Sequence, residues 1–574
     1  MLQIANGKLF SGSVGWENLL RGVLYTNASF GREVIVETAA GKLLPSTGTA
    51  IQPHVLVYEL LERMEAEEQR AGVIVSSGIE PYLNDFAVVT SFALNCVCTP
   101  DIDLARRLTS GKKGIATHAA PNELVSHFFD AEFRCKPEKV VFLREFVDQL
   151  IGLPRATFLG VMRALRTYVN GMHRIADDIE LAYTLLVASV ESLAQDFDGH
   201  ESDWDSYDER KRDVVDEALI GAEEVVAQRV RSALLGVEHT ALARRFREFA
   251  IAHTPAGYFR EASLVKNQAL SRTDLADVLA TAYQARSKYV HQLKRLPDSV
   301  VLGNSYGETA LHDRKTYLTL RGLSRLMRSV IIEFVNSQPS LVREEYPSYH
   351  LERSGLIQLR MAPQYWVGRT EGDLLSAGRP KLEGFLQQHA LCQLRERGAV
   401  LTDLCPVLDA ASGLIARAKL HQRLPYLALY ILFNDTVSAE QRASVPESIK
   451  TLIDKDLLQP SSEALVVFTI LGLVPDWPLD VHNKAIEHYF KQRGRPRGLR
   501  FPRLYEAWIS LDLAERYRLE GDILNCRRLV ALAVESHPGH KCLAELETKI
   551  DLNTPIRGVD VLLPSPVADS EAGG

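Results

Sequence analysis

A change of hydrophobic period near Pro137 divides this chain into two regimes. Before it, short β-branched and aromatic runs alternate with turn residues: VLYTNASFG, EVIVETAAG, HVLVYELL, AGVIVSSG and FAVVTSFALNCVC. Such runs suit pleated strands, so residues 1–137 are expected to form an α+β or β-rich module. Helices are expected within it from Val55 to Gln69 and near Leu104. After Pro137 apolar residues recur three and four positions apart, the repeat of a helix with one buried face, to about residue 550. The rest is therefore expected to be mainly α. Helices are placed at about 138–151, 155–173, 176–197, 209–235, 238–253, 272–293 and 313–337.

At 574 residues the chain is too long for one ordinary core, since domains run to roughly 100–200 residues. The expected organisation is an N-terminal module at 1–137, a helical bundle at 138–340, a helical-repeat region at 341–551 and a disordered tail at 552–574. Hydrophobic residues at 46% and charged residues at 24% suffice for packed cores. The net charge of −7 argues against a protein that coats nucleic acid, because such binding needs clustered cations to release counterions. A local basic site stays compatible with it.

Seven cysteines are scattered, and the close pair Cys96 and Cys98 has no second pair to complete a zinc site. Neither metal nor cofactor is expected, and the thiols read as reduced groups of a cytoplasmic protein. MLQIANGKLF lacks the features of a signal peptide. The most apolar run, ALVVFTILGLVP from Ala464, is below the roughly 18 residues that cross a bilayer and reads as a buried helix. No membrane partner is expected. The SGKKG segment from Ser110 has the wrong spacing for a phosphate-binding loop, and the acidic stretch from Gln195 to Asp216 reads as a solvated loop.

The richest segment runs from Leu275 to Leu293. Leu275, Val278, Leu279, Ala282, Tyr283, Tyr289, Val290 and Leu293 share one helix face, and Arg286 falls within it, one turn after Ala282 and one before Val290. A guanidinium there keeps its charge, so it must meet a carboxylate, a partner chain or an anionic ligand. His291 lies five residues on, about 140° around the helix. One helix cannot offer both groups to one phosphate easily, whereas two facing copies can line a shared cleft. Histidine titrates near neutrality and a fixed cation stabilises charge developing on phosphorus, which are the two needs of attack by an RNA 2′-hydroxyl.

The segment YQARSKYVHQ, Tyr283 to Gln292, resembles the Arg-x4-6-His motif of HEPN ribonucleases, with the R-S-K-hydrophobic-hydrophobic-H form of the ApeA-like subgroup. The resemblance spans residues from about 155 to 297, roughly a quarter of the chain. An earlier helix of that family carries an apolar run ending in a glutamate, which LAYTLLVASVESLAQ supplies as Glu191. The resemblance implies a four- or five-helix bundle, a homodimer and metal-independent endoribonuclease activity in antiviral defence or a toxin-like response. Arg286 and His291 are then catalytic, with Glu191 and Ser287 in support. Ser287 stands where many active members carry Asn, Asp or His, and its hydroxyl brings hydrogen bonding without charge. Three other pairs, Arg166/His173, Arg247/His253 and Arg343/His350, meet the same loose spacing without that setting. The alternative is a non-catalytic scaffold in which Arg286 pairs with Glu191 to fix bundle register, Glu191 being structural, and His291 caps the helix end.

Further on, residues 507–540 resemble one tetratricopeptide repeat, with Leu513, Ala514, Tyr517, Gly521, Cys526, Val530, Ala533 and Pro538 at the offsets of a 34-residue unit. One repeat cannot bury its own face, so an α-solenoid over 341–551 with a surface for a protein or peptide partner is expected, or else a helical cap on the bundle. RGRPRGLRFPR, from Arg493 to Arg503, reads as an exposed basic connector.

Overall fold

The computed structural model describes residues 1–31, 34–45, 52–66, 78–114, 119–199, 204, 209–237, 242–260, 268–301, 307–353, 361–496 and 498–564. The chain is mostly helical and divides into two compact units, Met1–Ile357 and Gln358–Gly574. Each has its own hydrophobic core.

The first unit opens with a β-rich layer. Strands pair in the order Val36–Thr38, Gly41–Pro45, His54–Glu65, Val14–Thr26 and Cys98–Thr99. The central antiparallel pair runs in register from Trp16 opposite Met64 to Thr26 opposite His54. The helix expected at Val55–Gln69 is therefore a strand as far as Glu65, with residues 67–69 outside the described set. Leu56, Tyr58, Leu60, Glu62 and Met64 are buried at every second position, the period of a sheet with one covered face. Residues 71–77 of AGVIVSSG also lie outside the described residues.

The cover is the Glu80–Leu94 helix, where FAVVTSFALNCVC had been expected to be a strand. It is buried almost all round, and Tyr58 stacks on Phe86 with ring centroids 4.3 Å apart. A helix packed on several sides loses the polar stripe that marks its period, which explains the strand-like appearance. The same helix serves the bundle behind it. Phe92 meets Tyr168 edge-on at 5.1 Å and packs on Phe146 at 5.6 Å. Arg328 donates to the Phe92 and Ala93 carbonyls. Residues 1–137 and 138–340 thus share one core within one unit.

Helices Pro137–Gly152, Arg155–Arg174, Ile179–Phe197, Leu242–Ala252 and Leu275–Gln292 follow the periodicity closely. The helix expected at 209–235 is split into Glu209–Ala218 and Glu224–Val237, because Gly221 turns the chain with a φ of +87°. The Gln195–Asp216 stretch, expected to be a loop, enters that first helix at Glu209, while residues 200–203 and 205–208 lie outside the described residues. The helix expected at 313–337 begins only at Leu320. Before it, strands Thr309–His312 and Lys315–Leu318 form a hairpin whose turn residues, Asp313 and Arg314, both have positive φ. Thr319 then caps the helix by accepting from the Gly322 N–H.

The second unit contains helices Leu374–Gln393, Cys405–Ile415, Leu420–Thr436, Ser462–Ile470, Leu479–Gln492, Arg503–Leu519, Ile523–Ser536 and Lys541–Lys549. Ala464, Leu465, Val466 and Val467 are buried, as their run implied. The repeat-like segment is a helical hairpin turned at Gly521, φ +81°, with Leu513, Ala514, Cys526, Val530 and Ala533 in its core. The connector Arg493–Arg503 is not simply exposed, since Arg493 pairs with Glu506 at 2.5 Å and Phe501 is buried and stacked on Tyr489. The tail also departs from expectation through residue 564. Gly558–Leu562 is a short helix, and Ile556 and Leu562 are buried because apolar residues spaced along it find a complementary surface. Residues 565–574 lie outside the described set. Among the described residues no helix is long and apolar enough to cross a membrane.

Candidate functional site

The Leu275–Gln292 helix has two halves with different surroundings. Leu275, Val278, Leu279 and Ala282 are buried where it packs on helices Ile179–Phe197 and Leu242–Ala252 and on strand Lys315–Leu318. Beyond Ala282 the same face leaves the core. Tyr283, Arg286 and Tyr289 are half-buried, while Val290 is 48% and Leu293 75% exposed. The apolar face is thus continuous in sequence but covered over only its first half within this chain. Leu293 ends the helix in the left-handed region, φ +53°, donating its N–H to the Tyr289 carbonyl at 2.8 Å. That conformation is uncommon for a branched residue.

Arg286 sits at the boundary. Its Nη2 lies 2.9 Å from Glu191 Oε2, and the Glu191 carboxylate is almost completely buried. The Tyr283 hydroxyl donates to Glu191 Oε1 at 3.3 Å, and Gln195 Nε2 donates to it at 3.5 Å. The guanidinium carbon stands 5.7 Å from the Tyr283 ring centre. Burial, and the Glu191 charge after it, push the Tyr283 phenol up to about 12, so it stays a protonated donor. Arg286 Nε is buried without a hydrogen-bond partner among the described residues. Glu191 therefore fixes one side of the guanidinium and leaves donor capacity unused. This is the ion pair that the scaffold alternative requires, and equally the clamp that would orient an arginine toward a phosphate.

His291 is exposed in the last helical turn, and Ser287 on the turn before it is half-buried. No hydrogen bond joins His291 to Arg286 among the described residues, in keeping with their opposed directions on one helix. The structure adds cations to the pair. Lys288, Lys294 and Arg295 are exposed beside His291, giving this helix end a positive surface. Their signal was already present in RSKYVHQLKR, as basic residues flanking the motif. Tyr289 donates to Asp178 Oδ2 at 3.3 Å and ties that end to the start of the Ile179–Phe197 helix.

No protein-family model, curated protein or solved structure matches the chain. The surroundings of the other Arg/His pairs are consequently informative. Arg166 pairs with Asp85 at 2.6 Å, and burial drives His173 down to about 4, which keeps it neutral. Arg343 donates to the carbonyls of Phe10, Ser11 and Gly12. His253 bonds the Phe249 carbonyl at 2.9 Å and packs on Phe334. These groups have evident structural partners, whereas His291 faces solvent.

Proposed function

We propose that the chain is a metal-independent endoribonuclease of the HEPN type that works as a homodimer in antiviral defence or a toxin-like response. The observation that carries this reading is Arg286, clamped by Glu191 on one side with Nε unsatisfied, at the point where an apolar helix face emerges uncovered. A second copy packed over Val290 and Leu293 would bring two such arginines and two exposed histidines to one cleft. A base removes the 2′-hydroxyl proton, the O2′–P bond forms, the P–O5′ bond breaks, and an acid returns a proton to the leaving 5′-oxygen. His291 supplies proton transfer and Arg286 stabilises the phosphorane charge. Lys288, Lys294 and Arg295 add the phosphate-attracting field that the net charge of −7 does not. The second unit serves as a helical-repeat surface for a protein or peptide partner.

The scaffold reading is favoured by one observation, the Arg286–Glu191 ion pair within one chain. Purified protein in EDTA separates the two readings. The nuclease reading expects RNA cut to 2′,3′-cyclic phosphate ends, and a loss of at least 100-fold in Arg286→Ala and in His291→Ala with the dimer intact, in the range for removal of a general acid or base. Cleavage persisting in both variants overturns the site, and no cleavage by the wild type favours the scaffold.

A further inference from the structure

A cavity of about 450 Å³ lies wholly within the second unit, bounded by helices Ser462–Ile470, Leu479–Gln492 and Arg503–Leu519 and by the tail segment 556–559. That volume suits a small organic ligand. Its interior is apolar, with Leu465, Phe468, Trp508 and Ile556 in the walls. The mouth is apolar too, since Leu473, Val474, Leu519 and Val559 are 53–72% exposed around it. Gly558 closes one side directly against the Trp508 indole, where a Cβ would collide. The tail is therefore a built wall of the cavity.

Asp512, Glu515 and Glu520 all lie on the lining, and Asp512 is held there by side chains of the walls. Asp512 accepts from the Thr469 hydroxyl at 2.6 Å and from the Trp508 indole. Both donors are neutral, and the carboxylate has no ion pair among the described residues. Two of the nearby charges, Arg516 and Glu515, have partners of their own. Arg516, one turn further on, donates to His482 Nδ1 at 3.1 Å and to the Trp477 carbonyl at 2.6 Å. Glu515 accepts from Arg518 and from the Ile556 N–H. His482 is driven down to about 4 by burial, then by Arg516, and is neutral at physiological pH. Arg557 and Glu520 lie on the lining, and Glu463 lies in the first turn of the Ser462–Ile470 helix, where burial raises its carboxyl.

From this geometry we infer that the cavity binds a small amphipathic amine, its ammonium on Asp512 and its apolar body against Leu465, Phe468 and Ile556. An ionised carboxylate in an apolar cavity is costly unless a cation meets it, and an ammonium also has the hydrogens to satisfy the oxygens that Thr469 and Trp508 leave free. Ordinary amines remain charged below about pH 9, so the pH dependence of binding follows Asp512. Burial has raised that carboxyl to about 7. Binding is consequently weak at pH 6, where Asp512 is mostly protonated, and stronger at pH 8.

Isothermal titration of the full chain with 2-phenylethylamine, 4-phenylbutylamine and octylamine tests the inference, with 2-phenylethanol and octanoate as neutral and anionic comparisons. The expected result is saturable binding of at least one amine, about tenfold tighter at pH 8 than at pH 6 for a group titrating near 7. Asp512→Asn should weaken the amine at least tenfold at pH 8 and abolish the pH dependence while leaving 2-phenylethanol unaffected. Thermal unfolding of that variant checks that it is folded. Preference for octanoate, pH-independent amine binding, unchanged affinity in a folded Asp512→Asn, or no binding by any amine at millimolar concentration each overturns the inference.

Discussion

Arg286 and Asp512 show two ways of placing a charge next to a core. The Arg286 guanidinium is met by Glu191 at 2.9 Å, with Tyr283 donating to the same carboxylate. Asp512 meets only neutral donors, so burial shifts its proton equilibrium instead, to about 7. The stability consequence has a definite sign. A carboxyl whose folded value exceeds its unfolded one near 3.8 contributes stability in full below about pH 4, and that contribution is lost as pH rises through 7. Asparagine resembles the protonated form. In urea unfolding of the full chain, Asp512→Asn should lie close to wild type at pH 4, gain on it as pH rises from 4 to 7, and be more stable by about 2–4 kcal/mol at pH 8. Equal differences at pH 4 and pH 8 would refute the assignment. Asp512 was invisible as a special residue in the sequence, where it is one acid among the 73 Asp and Glu residues.

At the scale of elements, the two halves of the Leu275–Gln292 helix have unlike neighbours. Its spacing correctly indicated a helix and the burial of Leu275, Val278, Leu279 and Ala282. The same spacing put Val290 and Leu293 on that face, and they are exposed. Periodicity reports which residues share a face, and says nothing of whether the same chain covers that face. If a second copy covers it, the double variant Val290→Glu, Leu293→Glu should be a monomer by light scattering. It should lose RNA cleavage while unfolding within about 0.5 kcal/mol of the wild-type monomer, as exposed positions do. A dimer that survives the double substitution would place the interface elsewhere. The Glu80–Leu94 helix went the other way, read as a strand because apolar residues on all its sides hid its period, and the HVLVYELL run is the strand its chemistry suits rather than the helix also expected from Val55.

For the whole molecule, the N-terminal residues complete the core of the first unit. Gln3 donates to the Ile151 and Leu153 carbonyls, and Lys8 Nζ to those of Ile151 and Gly152, at the end of the Pro137–Gly152 helix. Burial lowers the Lys8 ammonium to about 8, a measure of how closely it is enclosed. Without residues 1–137 these carbonyls lose their donors, and Phe146 and Tyr168 lose Phe92. A fragment spanning 1–357 should therefore give a cooperative thermal transition and a dispersed NMR spectrum, and one spanning 138–340 should give neither. A folded 138–340 fragment would show that the bundle is autonomous.

The sequence by itself determined the mostly helical class, most helix positions in the bundle, and Arg286 as a cation needing a partner. These depend on local spacing and on the cost of burying charge, and both can be read along the chain. The sequence already named Glu191 as one candidate partner, and the tertiary structure decided for it; the structure alone decided that the covered face of the motif helix stops after Ala282 and that Asp512 faces an apolar cavity closed by the tail. Each of those facts depends on residues far apart in the chain arriving at one place. The pattern of a single segment carries no record of such meetings.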